Sequence, residues 1–310
     1  MFANKNLSLT VPDGKRIGMV GLDTGHCMAF TRSINASDTR DKYRGYKVTA
    51  AYPKGTDLIR EWKDQIPQIT HEMKEAGVEI IDSMDELLEK VDVVMITCID
   101  GNKHLELATP VIKAKKSLFI DKPFAASYKD ACAIVELAKK YQTPLFSSSS
   151  LRYMDGIENI TETVGKITGA NIFSPAHIEP NHPDLFWYSI HGIEILYTIM
   201  GTGCKSVKRI FTPETDYVVG VWDDNRIGAY RGLRKEKTGY SATVFGEKAI
   251  KVLDKYSGYI PLLVKITEFY DTKMVPFPVE QTLEIIAFME AAEESKKKGG
   301  ITIDMYHTCQ

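Results

Sequence analysis

Charge of one sign is missing from this chain of 310 residues: 39 Lys and Arg stand against 41 Asp and Glu, a formal net charge of −2. Nucleic acid and anionic membranes are bound through clustered positive charge, so neither is an expected partner. Long apolar runs are missing too. The stretch Val91 to Cys98 breaks within a few residues, well short of the ~20 needed to cross a bilayer. Cysteine is sparse and scattered, at Cys27, Cys98, Cys132, Cys204 and Cys309, with no C-x-x-C pair. That pattern suggests neither a zinc knuckle nor a disulfide framework. Residues 1–13 show no apolar core and no small-residue cleavage pattern. No secretory leader is expected, and a reduced, cytoplasmic setting is the simplest expectation.

What is present is an alternation of strand-like and helix-like segments over residues 1–150. Apolar runs at 16–22, 46–52, 78–81, 91–97, 117–121 and 144–149 are separated by helical stretches, and Pro67 must kink or divide the one at 57–76. Such βαβ units build a parallel sheet covered on both faces, here a Rossmann-like α/β domain. Over 151–310 the pattern changes. A helix at 185–200 precedes β-rich runs from Ser206 to Leu253 without intervening helices, and closing helices follow at 259–270 and 279–298. This predicts an α+β domain on a largely antiparallel open sheet, with one face left for a helix or a second subunit.

The first strand ends in Gly21, Leu22, Asp23, Thr24, Gly25 and His26, and a helix follows. A glycine turn at a helix N-terminus suits a phosphate. The spacing departs from G-x-G-x-x-G, because Asp23 stands where the second glycine belongs. The loop therefore reads equally as a dinucleotide cradle or as a tight turn with an aspartate cap. On the cradle reading, Asp23→Gly should leave the fold intact and keep or strengthen binding. The second strand ends without a carboxylate before Asp57, and Lys54 offers itself to a 2′-phosphate, a weak lean toward NADP over NAD. Thr97, Cys98 and His104 follow the apolar strand, and Asp121, Lys122 and Pro123 close the next. Ligands bind beyond the carboxyl ends of parallel strands, where all of these fall.

In order and spacing these segments resemble the Gfo/Idh/MocA family of NAD(P)-dependent oxidoreductases, over nearly the whole chain. The family's E-K-P stands here as Asp121-Lys122-Pro123, its T-P-x-x-x-H loosely as Thr97-Cys98 with His104, and its second-domain H-x-x-D/E as His191 with Glu194. Trp187 occupies a position, four residues before the histidine, where the family often carries an acid. The resemblance implies an enzyme that moves a hydride between a nicotinamide and a CH–OH group of a sugar, cyclitol or related polyol, with Lys122 and His191 as catalytic candidates. It also implies an alternative, a sugar hydrolase or eliminase using transient oxidation by NAD, and a further one, a non-catalytic dinucleotide-binding regulator.

His191 and Glu194 share a helix face at i, i+3, so Glu194 is expected to orient the imidazole. Substrate contacts are expected from Arg152, His177, His182, Trp187 and His191. The loop carrying His177, Glu179, His182 and Asp184 is read as polar contacts rather than a metal site, because its prolines fix no ligand face. Arg152, at the junction, is equally an interdomain ion pair. A homodimer or homotetramer through the second sheet is expected.

Overall fold

A computed structural model describes residues 15–305. Its first sheet is six-stranded and wholly parallel. In chain order the strands are β1 (Arg16–Val20), β2 (Lys47–Tyr52), β3 (Glu79–Ile80), β4 (Val93–Ile96), β5 (Leu118–Asp121) and β6 (Leu145–Ser148), arranged β3-β2-β1-β4-β5-β6. The four residues of β4 are all buried, as an unbroken apolar run in a two-sided sheet requires. The order reverses between β1 and β4, so a crevice opens at their carboxyl ends.

Helices cover both faces. On one lie α1 (Gly25–Asn35) and α3 (Ile66–Glu75), with the short α2 (Arg60–Lys63) before the latter. Pro67 sits in the first turn of α3, dividing the expected long helix where a missing N–H costs nothing. On the other face lie α4 (Met84–Lys90), α5 (His104–Lys113) and α6 (Tyr128–Tyr141). Thr24, Ser83 and Ser127 cap α1, α4 and α6 with their hydroxyls.

After the short α7 (Ile160–Val164) comes the second, seven-stranded sheet. Its strands are β7 (Ile167–Pro175), β8 (Cys204–Phe211), β9 (Thr215–Trp222), β10 (Ile227–Leu233), β11 (Ser241–Gly246), β12 (Ile250–Leu253) and β13 (Ile303–Asp304), in the order β12-β11-β7-β10-β9-β8-β13. Strand β7 was not expected from sequence. It inserts between β10 and β11 and pairs parallel with β10, the one parallel pair in a sheet that is otherwise antiparallel among the described residues, as the largely antiparallel expectation has it. A π-helical turn, Leu185–Ser189, leads into α8 (Ile190–Met200), which packs with α10 (Val279–Lys297) on the inner face. Among the described residues no helix is long and apolar enough to cross a membrane.

The two halves do not part cleanly at residue 150. Helix α9 (Ile260–Thr272) returns to the first sheet and lays Leu262, Leu263, Ile266, Phe269 and Tyr270 on Met19, Phe119 and Phe146. The Tyr270 hydroxyl donates to the Val94 carbonyl at 2.8 Å, and Asp271 pairs with Lys15 and Arg44.

Candidate functional site

The carboxyl ends of β1, β2 and β4 are knotted together by Asp23. Its carboxylate accepts the Thr56 N–H at 2.6 Å, the Ile99 N–H at 3.0 Å and the Cys98 thiol at 3.4 Å, with no exposure to solvent. Gly55 has no room for a side chain, since a Cβ there would lie 2.5 Å from an Asp23 oxygen. Asp23 is therefore not the helix cap expected on the tight-turn reading; Thr24 is. Its side chain is also not dispensable to the loops, contrary to the expectation for Asp23→Gly. Burial raises its pKa, against the lowering effect of these donors.

Other members of the expected cofactor set make contacts within the protein. Gly21 adopts a φ of +86°, and a Cβ there would strike the Cys98 backbone at 2.6 Å. The Leu22 side chain lies in the core, and Thr97 donates its hydroxyl to the Gly21 carbonyl at 2.8 Å. Cys98 is a buried thiol turned on Asp23. His104 is fully buried, its ring nitrogens 2.8 Å from the Cys98 carbonyl and 3.2 Å from that of Phe124, so it braces two loops rather than facing a ligand. Pro123 follows a cis peptide bond. Lys54 lies on the rim of a cavity of about 300 Å³ at the end of β2, 3.8 Å from Asp57.

Two features leave room for a dinucleotide. Gly25, the first residue of α1, is exposed and has no atom within 4 Å of a side-chain position, so the helix N-terminus is open. The Asp23 charge is taken up by the amides of Thr56 and Ile99, not by those of α1. Further along the crevice, the buried His182 Nε2 lacks a hydrogen-bond partner among the described residues, and Asp100 and Lys122 are charged groups acting on that ring.

At the end of β5 three groups meet. Asp121 Oδ2 lies 2.5 Å from His26 Nδ1, while Oδ1 accepts the Lys122 backbone N–H at 2.9 Å. The buried Lys122 amine lies 5.9 Å from the centre of the Tyr188 ring, and the His191 ring is 5.2 Å from that same tyrosine. Burial lowers the lysine pKa, opposed by Asp121. Burial, then the charges of Lys122 and His26, hold His191 well below its ordinary value.

His191 is oriented by Ser149, whose hydroxyl lies 2.6 Å from Nδ1, and not by Glu194 as expected. Glu194 instead accepts from Ser148 at 2.9 Å and from Arg152 Nε at 2.8 Å. Arg152 is bonded also to Gln281 and stacked 3.6 Å over Phe277, which makes it an ion pair at the junction, and its buried Nη2 has no hydrogen-bond partner among the described residues. The loop at 177–184 scatters its polar groups. Asp184 pairs with the fully buried Arg209, Glu179 folds back on Asn181, and His177 is exposed with its ring 5.0 Å from Tyr188. Trp187 lies half-buried with its ring 5.4 Å from His182.

Sequence reading missed the aromatic wall. Tyr188, Tyr240, Tyr256 and Tyr259 join three separate loops, and only Tyr188, three residues before His191, carried a spacing signal.

Two buried imidazoles make the fold acid-sensitive. Burial pushes His182 down to about 4 and holds His191 well below its ordinary value. Below the ordinary histidine value near ~6.5 the unfolded chain takes up protons that the folded chain refuses, so stability falls as pH falls, by up to ~1.4 kcal/mol per pH unit for each ring. Urea melts at about pH 7 and about pH 5 should show a larger loss in the wild type than in His182→Phe.

Residues 15–148 match the model of the Gfo/Idh/MocA oxidoreductase family, NAD-binding Rossmann fold. A myo-inositol 2-dehydrogenase of Thermotoga maritima is 32% identical over 224 residues, which cover 62% of this chain and 63% of the relative. An uncharacterized oxidoreductase of Streptococcus pneumoniae is 30% identical over 131 residues, 40% of this chain and 31% of the relative. The chain thus spans less than two thirds of the length of these curated relatives. Among solved structures, myo-inositol 2-dehydrogenase from Lactobacillus plantarum superposes with a TM-score of 0.76 at 15% identity, covering 94% of this chain and 99% of that one. The scyllo-inositol dehydrogenase of Lactobacillus casei, with bound NAD(H) and scyllo-inositol, gives 0.72 at 16%, covering 93% and 98%. At that identity the likeness is one of fold. The match to the Gfo/Idh/MocA oxidoreductase family is thus one of the first domain, residues 15–148.

Proposed function

We propose that the protein is an NAD(P)-dependent dehydrogenase of a cyclic polyol of the inositol class, with Lys122 as proton acceptor and His191 as hydrogen-bond donor to the same substrate oxygen. The observation that carries this reading is the approach of a buried amine and a buried neutral imidazole, from different domains, to the same ring, that of Tyr188. The open N-terminus of α1 at Gly25 and the cleft beside Lys54 would hold the dinucleotide, which when bound supplies a hydride acceptor for the carbinol carbon.

The proposed role uses the His191 tautomer with its hydrogen on Nε2, in which Nδ1 accepts the Ser149 hydroxyl at 2.6 Å while Ser149 Oγ accepts the Leu151 N–H at 3.1 Å. The Nε2 hydrogen steadies a developing alkoxide while the neutral lysine removes the hydroxyl proton. Tyr188 and Tyr240 line the cleft with surfaces suited to the C–H faces of a polyol ring. The outer face of the second sheet exposes Phe173, Ile210, Tyr217, Val221, Ile227 and Ile250. A second copy of the chain, presenting the same face, is the proposed occupant, as an isologous contact needs a self-complementary patch.

The test is a melting-temperature screen with NAD, NADP and an inositol panel. Ligand at ~100 times its Kd should stabilise the protein by ~2.7 kcal/mol, read as a raised midpoint. Lys54→Ala should weaken NADP about tenfold and NAD little, since a charged hydrogen bond is worth ~1.5–3 kcal/mol at best. No shift with either cofactor at millimolar concentration refutes the function, and equal weakening of both refutes the Lys54 role.

A further inference from the structure

We propose that His26 is a positioning residue that holds the Asp121 carboxylate and so keeps it from pairing directly with the Lys122 amine. The proposal rests on the reading of Lys122 as proton acceptor. Asp121 and Lys122 are chain neighbours, and an adjacent carboxylate is the ordinary partner of a buried amine. Here both oxygens are already committed. Oδ2 meets His26 Nδ1 at 2.5 Å and Oδ1 takes the backbone N–H of Lys122 at 2.9 Å. Among the described residues the lysine amine has no ion pair or hydrogen bond.

His26 is fixed for this task. Its ring stacks on Phe30, with centroids 5.1 Å apart at 18°, and meets the edge of Tyr259 at 5.0 Å. A ring so wedged can bring only one nitrogen to Asp121. The other titratable groups acting on the trio are Cys27 from α1, His191 and Tyr188 from α8 and the π-helical turn, His182 from the loop before it, and Tyr256 and Tyr259 from the segment before α9. None of these is a carboxylic acid. Asp100, which faces His182, is engaged by the Thr56 hydroxyl at 3.0 Å and the Asn102 N–H at 3.0 Å. Asp121 is thus the acid available to Lys122, and His26 holds it away. Burial would raise the Asp121 pKa, but the His26 contact brings it below the usual carboxylate value.

His26 occupies the place where the family's glycine loop would carry its third glycine. A side chain there narrows the turn, and the geometry turns that to use by reaching across from α1 to the end of β5.

The experiment follows the amine directly and needs neither cofactor nor substrate. The full chain is labelled with acetic anhydride across a pH series, and modification of Lys122 is quantified by peptide mass spectrometry. In the wild type the labelling midpoint should lie below that of exposed lysines. In His26→Phe, which keeps an aromatic stack, Asp121 is free to turn onto the amine and the midpoint should rise by about one pH unit or more. His26→Gln, whose amide still donates to Asp121, should keep the wild-type midpoint. On an Asp121→Asn background, His26→Phe should change nothing. An unmoved midpoint in His26→Phe, a Gln variant that shifts as far as Phe, or a shift on the Asn background would each overturn the proposal. A negative cofactor screen leaves this readout intact, so failure of the dehydrogenase reading is seen separately.

Discussion

Lys122→Ala should reduce turnover of the polyol by about 10²–10⁴, the usual cost of removing a positioned acid–base group. The loss should fall on kcat and kcat/KM together, because an interaction used only in the transition state is removed. His191→Ala should lose a comparable factor while cofactor binding survives, since Ser149 and the aromatic wall, not the dinucleotide cleft, surround that ring. Steady-state kinetics on both variants, paired with cofactor titration, check the assignment. Wild-type rates in two folded, cofactor-binding variants would refute the mechanism.

Asp23→Gly should destabilise the protein by about 2–4 kcal/mol. Its carboxylate satisfies the buried N–H groups of Thr56 and Ile99, and leaving a buried donor unpaired costs ~1–3 kcal/mol each. Relief of carboxylate desolvation returns part of this. Asp23→Asn, which keeps one acceptor oxygen, should lose about half as much. The pH sign is distinctive. The folded pKa is raised, so the Asp23 contribution is fully present below the unfolded value near ~3.8 and shrinks as pH rises through the folded value. Urea melts of the three proteins at neutral pH decide it; an Asp23→Gly variant as stable as wild type would show that water replaces the carboxylate without cost.

The fold was legible because its signals are local. The unbroken run at β4, the serine and threonine caps and Pro67 each report on a few neighbouring residues, and each has a single structural solution. Motif order singled out Lys122 and His191, and the structure brings both side chains to Tyr188. What escaped depends on distance in the chain. Glu194 and His191 share a helix face, yet Glu194 is claimed by Arg152 and Ser148 from the other domain, so helical spacing could not name the residue that orients the imidazole. Asp23 looked like a defect in a glycine loop, and its use appears only when β2 and β4 bring Thr56 and Ile99 within reach. His104 fits a ligand motif but faces two carbonyls. Strand β7 is hidden because its neighbours β10 and β11 come some fifty residues later or more.

Helix α9 has a consequence for how the molecule is made. During synthesis the strands of the first sheet emerge complete by Ser148, but the surface formed by Met19, Phe119 and Phe146 stays bare until residues 260–272 leave the ribosome. The nascent Rossmann half therefore waits, greasy on one side, for more than a hundred residues of a different domain. The same clasp acts in the finished protein. Any parting of the two halves near Arg152 would have to peel α9 from the first sheet and break the Tyr270–Val94 hydrogen bond.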